Sequence, residues 1–268
     1  MKKTLTHREQ YLREIKHRKA KVTAAQVMVV AGFIALWEIL TAADVVDPFI
    51  FSSPSRIAKT TVTMAQTDLL YHILVTVLET VTGFAAGVVL GLLIAVAMWF
   101  SPFVHSVAAP FLVVLNSLPK IALGPVIIVW AGAGAGAIIV MAVAISLIVT
   151  VMELSGGFEA TDRNLITTVQ SFGATRYQVF VKVVLPSNIP VLFQSLRVNI
   201  GLSLVGVIAG EFLVSRAGLG YLIVYAGQVF RMDLVMMSVV ILGVVAFVMY
   251  QAVEMARKIV EKKINHNT

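Results

Sequence analysis

The stretch ATDRNLITTVQSFGATRYQVFVKVVLP, residues 160–186, is the most informative part of this chain. It is a mostly polar, helix-compatible island between two long apolar segments. A glycine, an apolar residue, a leucine and a proline follow one another at fixed distances, at Gly173, Val183, Leu185 and Pro186. Two short amphipathic helices around one glycine are typical of a surface that docks into the groove of a partner. The island therefore predicts a membrane protein that is worked by a soluble partner.

The composition indicates an integral membrane protein. Of the 268 residues, 59% are hydrophobic and only 13% are charged, whereas an average soluble domain carries about 25% charge. The chain has no cysteine, which excludes disulfides and cysteine-ligated metal sites. A net charge of +7 would suit a nucleic-acid partner. However, the basic residues cluster at the termini and beside apolar segments, which favours the positive-inside pattern of membrane proteins instead.

Apolar segments of about 20 residues, the length that crosses a bilayer, predict six spans. One of them is broken, because Pro119 and Lys120 separate apolar residues 104–118 from 121–131 and proline kinks a helix. The five continuous spans are 24–43, 73–100, 137–154, 189–213 and 234–256.

The distribution of Lys and Arg predicts the orientation. If the N-terminus lies inside, the inside segments hold eight of these residues in the N-terminal tail, three in the island and four at the C-terminal end, against four outside. We therefore expect both termini and the island to face the cytosol. The apolar run after the tail is longer than the 7–15 residues, roughly, of a signal peptide, so we expect no cleavage. The predicted domains are a basic tail at 1–23, a transmembrane domain at 24–262 and a C-terminal tail at 263–268.

Helical spacing divides the island into two short helices. Thr161 or Asp162 is placed to cap the first helix. Gly173 suits a helix C-terminus that requires a positive φ. We expect Thr175 to cap the second helix and Pro186 to end it. The apolar face of the first helix would comprise Leu165, Ile166, Val169 and Phe172, and that of the second Tyr177, Phe180, Val181 and Val184. The alternative is an amphipathic loop that rests on the membrane surface.

The island resembles the conserved cytosolic loop of binding-protein-dependent ABC importer permeases, whose pattern is E-A-A-x3-G-x9-I-x-L-P. The chain keeps Gly173, Leu185 and Pro186, has Val183 in place of isoleucine, and departs at 167–169, where Thr-Thr-Val replaces Glu-Ala-Ala. The resemblance covers residues 24–262 and is closest to the permeases for nitrate, alkanesulfonates and taurine, a branch that includes importers of thiamine precursors. Further similar stretches are LWEIL (36–40), FSSPSRI (51–57), LNSLPKIALGPVIIVWAGAG (115–134) and GEFLVSRAGLGYLI (210–223).

This resemblance implies the fold and the partners. The fold is an all-α polytopic membrane protein of about six transmembrane helices with a cytosolic coupling-helix loop at about 155–187, the type I ABC importer permease fold. The protein would lie in the bacterial inner membrane, with an ABC ATPase subunit, an extracytoplasmic solute-binding protein, a second copy of itself and the lipid bilayer as partners. The implied ATPase-docking residues are Thr167, Val169, Phe172, Gly173, Ala174, Thr175, Val183, Leu185 and Pro186.

We expect no catalysis, cofactor or metal in this chain. The sequence has no G-x4-G-K-[ST] phosphate loop, so ATP hydrolysis would belong to a partner subunit. The five histidines are scattered and form no cluster with carboxylates at metal-ligand spacing. Two other functions stay open at this point, a stand-alone secondary transporter and a membrane scaffold that recruits a cytosolic protein. The sequence does not identify the solute.

Polar residues inside the spans are candidates for the translocation path, since such residues are costly in lipid. Arg197 would attract an anion during passage; the alternatives are an ion pair with Glu38 or Glu79, or a position near the membrane rim. The broken span is a second candidate lining of the path, and the alternative is that it is only a kink packed against its neighbours. Glu79 stands where the similar branch often has arginine. The candidates are Glu38, Glu79, Asn116, Ser117, Gln194, Arg197, Asn199 and Glu211.

Overall fold

The computed structural model describes the backbone of residues 7–266 and the side chains of residues 15–263, and this part of the chain is helical with no strand. Each of the five predicted continuous spans corresponds to one long helix. The predicted all-α membrane fold is thereby confirmed. The long helices are α1 (His7–Ala42), α4 (Leu69–Phe100), α7 (Ala135–Glu159), α11 (Ile189–Val214) and α13 (Met232–His266).

The predicted tails only partly fall within the described residues. Residues 1–6 of the basic tail and residues 267 and 268 of the C-terminal tail lie outside them. Helix α1 continues without a break across the predicted boundary between the tail and the first span. The start of that span is therefore a change in composition within one helix.

Short helices fill the connections. Helices α2 (Pro48–Phe51) and α3 (Pro54–Ala65) follow α1, and α12 (Leu219–Gln228) lies between α11 and α13. Asp47 and Ser53 cap α2 and α3 with their side chains, and each helix begins with proline, which loses nothing at a position whose N–H has no partner in the helix. All three helices pack against α13.

The broken span bends by 90° between α5 (Pro102–Ser117) and a 3₁₀ turn that leads into α6 (Gly124–Ala131). The packing of its neighbours shows that the two parts together cross the bundle. Helices α4 and α7 run parallel, because Gly83 faces Ala142 and Gly91 faces Thr150. The chain must therefore return from one end of the bundle to the other between them. It starts that return where His105 contacts Glu159 at 3.1 Å.

Helix α7 lies between α4 and α11, and glycines bring the three backbones close together. A Cβ atom at Gly83 would lie 2.5 Å from the Cβ of Ala142, and one at Gly206 would lie 2.6 Å from the Cα of the same alanine. Gly83, Gly87 and Gly91 recur every four residues on α4, and small residues at this spacing let helices approach closely. The glycines of α11 extend the same contact to the other side of α7.

We predict that Gly206→Ala destabilises the protein. The new Cβ would meet the backbone of α7, which cannot rotate away, and overpacking of this kind costs about 1–3 kcal/mol. The measurement is the midpoint of thermal unfolding in detergent, followed by size-exclusion chromatography.

Gly201→Ala is the matched control on the same helix. Nothing lies within 4 Å of a Cβ at Gly201, and alanine favours helix by roughly 1 kcal/mol over glycine. We expect this variant to unfold at or above the wild-type temperature. Equal stability of the two variants would contradict the packing argument.

Candidate docking island and buried polar sites

The island forms the two predicted helices. Helix α8 (Arg163–Ser171) is capped by Asp162, whose carboxylate accepts the Asn164 N–H at 2.8 Å. Gly173 follows with φ +82°, the left-handed conformation that was expected of it. Thr175 then caps α9 (Arg176–Val179) in a reciprocal capping box with Gln178.

The prediction that Pro186 ends the second helix is wrong. The chain continues from α9 through a π turn (180–184) into α10 (Leu185–Ser187). Pro186 lies in the first turn of α10, where a missing N–H costs little. The break comes at Asn188, whose side-chain amide donates to the Val184 carbonyl and to the Thr161 hydroxyl, both at 2.8 Å.

An aromatic cluster fixes the island to the ends of α4 and α7. The Phe180 ring is buried, with ring centroids 5.0 Å from Trp99, 5.3 Å from Phe100 and 5.4 Å from Phe158. Arg176 donates to the Trp99 carbonyl at 2.9 Å and its guanidinium lies over the Trp99 ring. A displacement of the island would therefore be transmitted to both long helices.

The opposite surface of the island is apolar and exposed. Phe172 is 87% exposed, Tyr177 68% and Leu165 51%. The predicted apolar faces are only partly correct, because the buried face of the second segment comprises Val179, Phe180 and Val184, whereas Tyr177 and Val181 are exposed. Of the expected docking residues, Thr167, Phe172, Gly173, Thr175 and Pro186 are exposed, and Val169, Ala174, Val183 and Leu185 are half-buried.

Glu211 holds the start of α12. Its carboxylate accepts a hydrogen bond from the Thr76 hydroxyl at 2.6 Å and another from the Gly220 N–H. Thr76 in turn accepts the Leu219 N–H at 2.8 Å. These groups satisfy donors that would otherwise be unpaired at a buried helix N-terminus. Glu211 thus joins α4, α11 and α12, a role for which the sequence offered no physical account.

We predict that Glu211→Ala lowers the thermal unfolding midpoint. It leaves the Gly220 N–H and the Thr76 hydroxyl without their acceptor, and a buried unsatisfied group costs about 1–3 kcal/mol. Glu261→Ala is the control, since Glu261 only pairs with Arg257 on a partly exposed part of α13. A Glu211→Ala variant as stable as wild type would show that α12 does not depend on this carboxylate.

Glu79 lies beside Glu211 and is 8% exposed. Its Oε2 atom has no hydrogen-bond partner among the described residues. Both oxygens of Glu211 already accept hydrogen bonds from the protein. The two carboxyl groups are within hydrogen-bonding reach of each other, so one proton shared between them would satisfy this oxygen.

Arg197 forms an ion pair with Glu254 of α13, with Nε and Oε2 3.4 Å apart. Glu254 also pairs with Arg257 at 2.6 Å. The sequence predicted an ion pair with Glu38 or Glu79 as one alternative to an anion-binding role. The structure gives Arg197 a different carboxylate, one that lies 57 residues further along the chain.

Glu38 caps α3. Its carboxylate accepts the Ser55 N–H at 3.0 Å and the Ser55 hydroxyl at 2.7 Å. Ser55 lies in the first turn of α3, where backbone N–H groups lack helical acceptors. Glu38 therefore has a structural partner at the edge of the bundle.

The other predicted path residues differ in exposure. Asn116, Ser117 and Gln194 are exposed, whereas Asn199 is fully buried. Lys120 donates to the Asn116 side-chain oxygen at 3.0 Å beside the 90° bend. The Asn199 amide donates to Ser195, but its oxygen has no partner among the described residues.

Several polar residues that organise these sites were not predicted from the sequence. His72 accepts the Gly218 N–H at 3.0 Å, next to Thr76. His72, Thr76 and Thr80 recur every four residues in the sequence, a pattern that predicts one polar face on α4. Glu254 and the half-buried Glu153 had no such signal, because their surroundings come from distant parts of the chain.

The family model for the binding-protein-dependent transport system inner membrane component matches residues 87–266. The formylaminopyrimidine transport permease ThiX of Halalkalibacterium halodurans is 27% identical over 70% of this chain and 75% of its own length. The taurine transport permease TauC of Escherichia coli is 22% identical over 82% of each chain. The putative aliphatic sulfonates permease SsuC of Bacillus subtilis is 24% identical over 80% of this chain and 78% of its own.

Solved structures have the same fold. An inward-facing structure of the methionine ABC transporter MetNI superposes with a TM-score of 0.64 at 19% identity, over 72% of this chain and 95% of that one. An amino acid ABC transporter superposes with a TM-score of 0.58 at 18% identity, over 76% and 97%. The chain belongs to the family of binding-protein-dependent transport system inner membrane components, and it is the membrane-spanning permease subunit of an ABC importer.

Proposed function

We propose that two copies of this chain form the translocation path for a small solute, and that each copy binds an ATPase subunit through the island. The exposed Phe172 carries this proposal. Its side chain is 87% exposed, on a segment that also exposes Tyr177 and packs against two membrane helices. Such a side chain is suited to a hydrophobic groove in a partner. ATP hydrolysis then takes place in the partner, and this chain has no catalytic role.

The charge distribution supports a cytosolic island. It exposes three basic residues, Arg163, Arg176 and Lys182. An excess of Lys and Arg marks the cytosolic side of a membrane protein. The packing supports both termini on that side as well. Glu254, in the C-terminal half of α13, contacts Arg197 in the first half of α11, which begins at the island. Trp37, near the end of α1, packs against the cluster that includes Leu234 at the start of α13. The end of α13 and the start of α1 therefore lie on the same side of the bundle as the island.

An apolar groove of about 690 Å³ between α6, α11 and α13 supports pairing with a second copy. Its lining includes Ile121, Phe212 and Leu242 and is almost wholly apolar. Two copies of the permease would each bury this surface. The polar bend of the broken span is exposed in a single copy. In a homodimer it would face protein or a solute path and not lipid.

The bend is the part of the proposed path with the strongest support. Asn116 and Ser117 are exposed there, beside Lys120, at a break in a transmembrane span. Broken helices at membrane depth occur where the backbone is buried in protein or lines a cavity. Glu38, Arg197 and Glu211 have partners within the fold, which favours structural roles for them. The solute is of the size carried by the similar permeases, such as taurine, sulfonates or formylaminopyrimidine.

We predict that Phe172→Ser abolishes co-purification of the ATPase subunit in mild detergent. Loss of an aromatic interface anchor costs about 2 kcal/mol or more, which is more than tenfold in affinity. The unfolding midpoint of the permease should not fall, because Phe172 contacts little within its own chain.

Phe230→Ser is the matched control, since Phe230 is 71% exposed at the opposite end of the bundle. It should retain the ATPase. An unaltered yield of ATPase with Phe172→Ser would reject the island as the docking surface. A native chain that purifies alone, from cells that express the ATPase, would instead favour a stand-alone transporter.

Arg197→Gln should preserve assembly and ATP-driven uptake of the solute that the cognate binding protein carries. Glu254 keeps Arg257 as its partner, so removal of Arg197 leaves no isolated charge. Glu254→Gln instead leaves Arg197 without its carboxylate, so it should lower the unfolding midpoint. Uptake lost only in Arg197→Gln, with the complex intact, would restore an anion-binding role for this arginine.

A further inference from the structure

Two carboxyl groups are enclosed together where α4, α11 and α12 meet. Glu79 is 8% exposed and Glu211 only 1%, and their side chains are within hydrogen-bonding reach of each other. Two ionised carboxylates could not form this hydrogen bond, because an ionised carboxylate only accepts. The contact therefore requires a proton on one of the two residues, which we call the acid pair.

The hydrogen bonds around Glu211 assign the negative charge to it. Its Oε2 accepts the Gly220 N–H, and the Tyr221 N–H also faces the carboxylate. Both are backbone groups, which can only donate, and they belong to the first turn of α12, where the helix dipole stabilises a negative charge. The Thr76 hydroxyl, which itself accepts the Leu219 N–H, donates to Oε1.

Glu79 has no comparable support for a negative charge. No donor among the described residues reaches its Oε2. The residue lies within α4, where backbone N–H groups are used by the helix itself. In ionised form it would add a second buried negative charge beside Glu211, which is costly. As a neutral acid it donates a hydrogen bond to Glu211, and the enclosed oxygen is then satisfied.

We propose that Glu79 is a buried proton-binding site that holds α12 in place, with its protonated carboxyl group donating to the carboxylate of Glu211. The bound proton allows the two groups to lie side by side. Its loss at alkaline pH places two like charges against the first turn of α12 and loosens that helix. This property goes beyond solute transport and ATPase docking, and it rests on neither.

The other ionisable groups nearby would produce a different pH dependence. His72 accepts the Gly218 N–H through Nδ1, so its protonation would weaken the start of α12 as the pH falls, which is the opposite direction. Arginine stays charged throughout, whereas aspartate ionises near pH 4 and tyrosine near pH 10, roughly. Residues 121–152, which include α6 and most of α7, contain no ionisable side chain. The nearby groups are Asp68, Tyr71, His72, Arg216 and Tyr221.

The first test is infrared spectroscopy of the purified permease in dodecyl maltoside, a detergent without a carbonyl group. At neutral pH the wild type should show the C=O stretching band of a protonated carboxylic acid, and Glu79→Gln should lose it. Glu38→Gln is the matched control. Glu38 accepts the Ser55 N–H and hydroxyl at the edge of the bundle, so this variant should keep the band.

The second test is the thermal unfolding midpoint as a function of pH. The unfolded chain releases the proton that the folded chain holds, so stability falls as the pH rises. Between about pH 6 and about pH 9, the wild-type midpoint should fall by about 3 °C or more beyond that of Glu79→Gln. The glutamine amide donates to Glu211 at every pH, so this variant should unfold like wild type at the acidic end of the range. The pH dependence of Glu38→Gln should follow that of wild type.

Amide hydrogen exchange locates the effect. At alkaline pH, peptides from α12 should exchange faster in wild type than in Glu79→Gln at the same pH, whereas peptides from the island should not differ.

Either of two results would overturn the proposal. One is a carboxylic-acid band at neutral pH that is unchanged in Glu79→Gln or absent from the wild type. The other is an equal dependence on pH of the unfolding midpoints of wild type and Glu79→Gln. Neither measurement uses an ATPase or a solute, so the proposed function can stand while this proposal fails.

Discussion

Ala142 lies between two glycines on different helices, and the arrangement of the bundle depends on that contact. Gly83 of α4 and Gly206 of α11 both approach it so closely that neither position has room for a Cβ atom. In a bilayer, where burial of apolar surface does not drive helices together, such close van der Waals contact is a main source of association. The three helices therefore form one rigid body, and the remaining elements are arranged around it.

Both ends of the bundle are attached to this rigid body. At one end, Phe180 and Arg176 connect the island to α4 and α7. At the other end, Glu211 and Thr76 connect α12 to α4 and α11. Since the same tightly packed helices reach both ends, a displacement of the island would be transmitted to the far end as movement of a unit. Helix α5 has no buried residue, so it is less firmly held by these three helices than α6, whose Ile127 packs against Met141 and Ala209.

The sequence predicted those features that depend on neighbouring residues. The spans, the cap at Thr175 and the positive φ of Gly173 each follow from a pattern within a few positions. Features that depend on distant residues were missed or misassigned. Glu254 became the partner of Arg197 only because α11 and α13 are antiparallel. Pro186 was expected to stop a helix, but the preceding π turn shifts the hydrogen bonds so that its missing N–H does no harm.

The carboxylates and amides of the membrane region separate into two kinds. Glu211 and Glu38 each accept a backbone N–H from the first turn of a helix, so they hold elements in fixed positions. In contrast, Glu79, Glu153 and Asn199 each retain a buried oxygen without a partner in the described part of the chain. Unsatisfied groups of this kind cost stability, and a rigid structural protein would gain by removing them. They lie on α4, α7 and α11, so the helices that hold the bundle together also carry these enclosed oxygens.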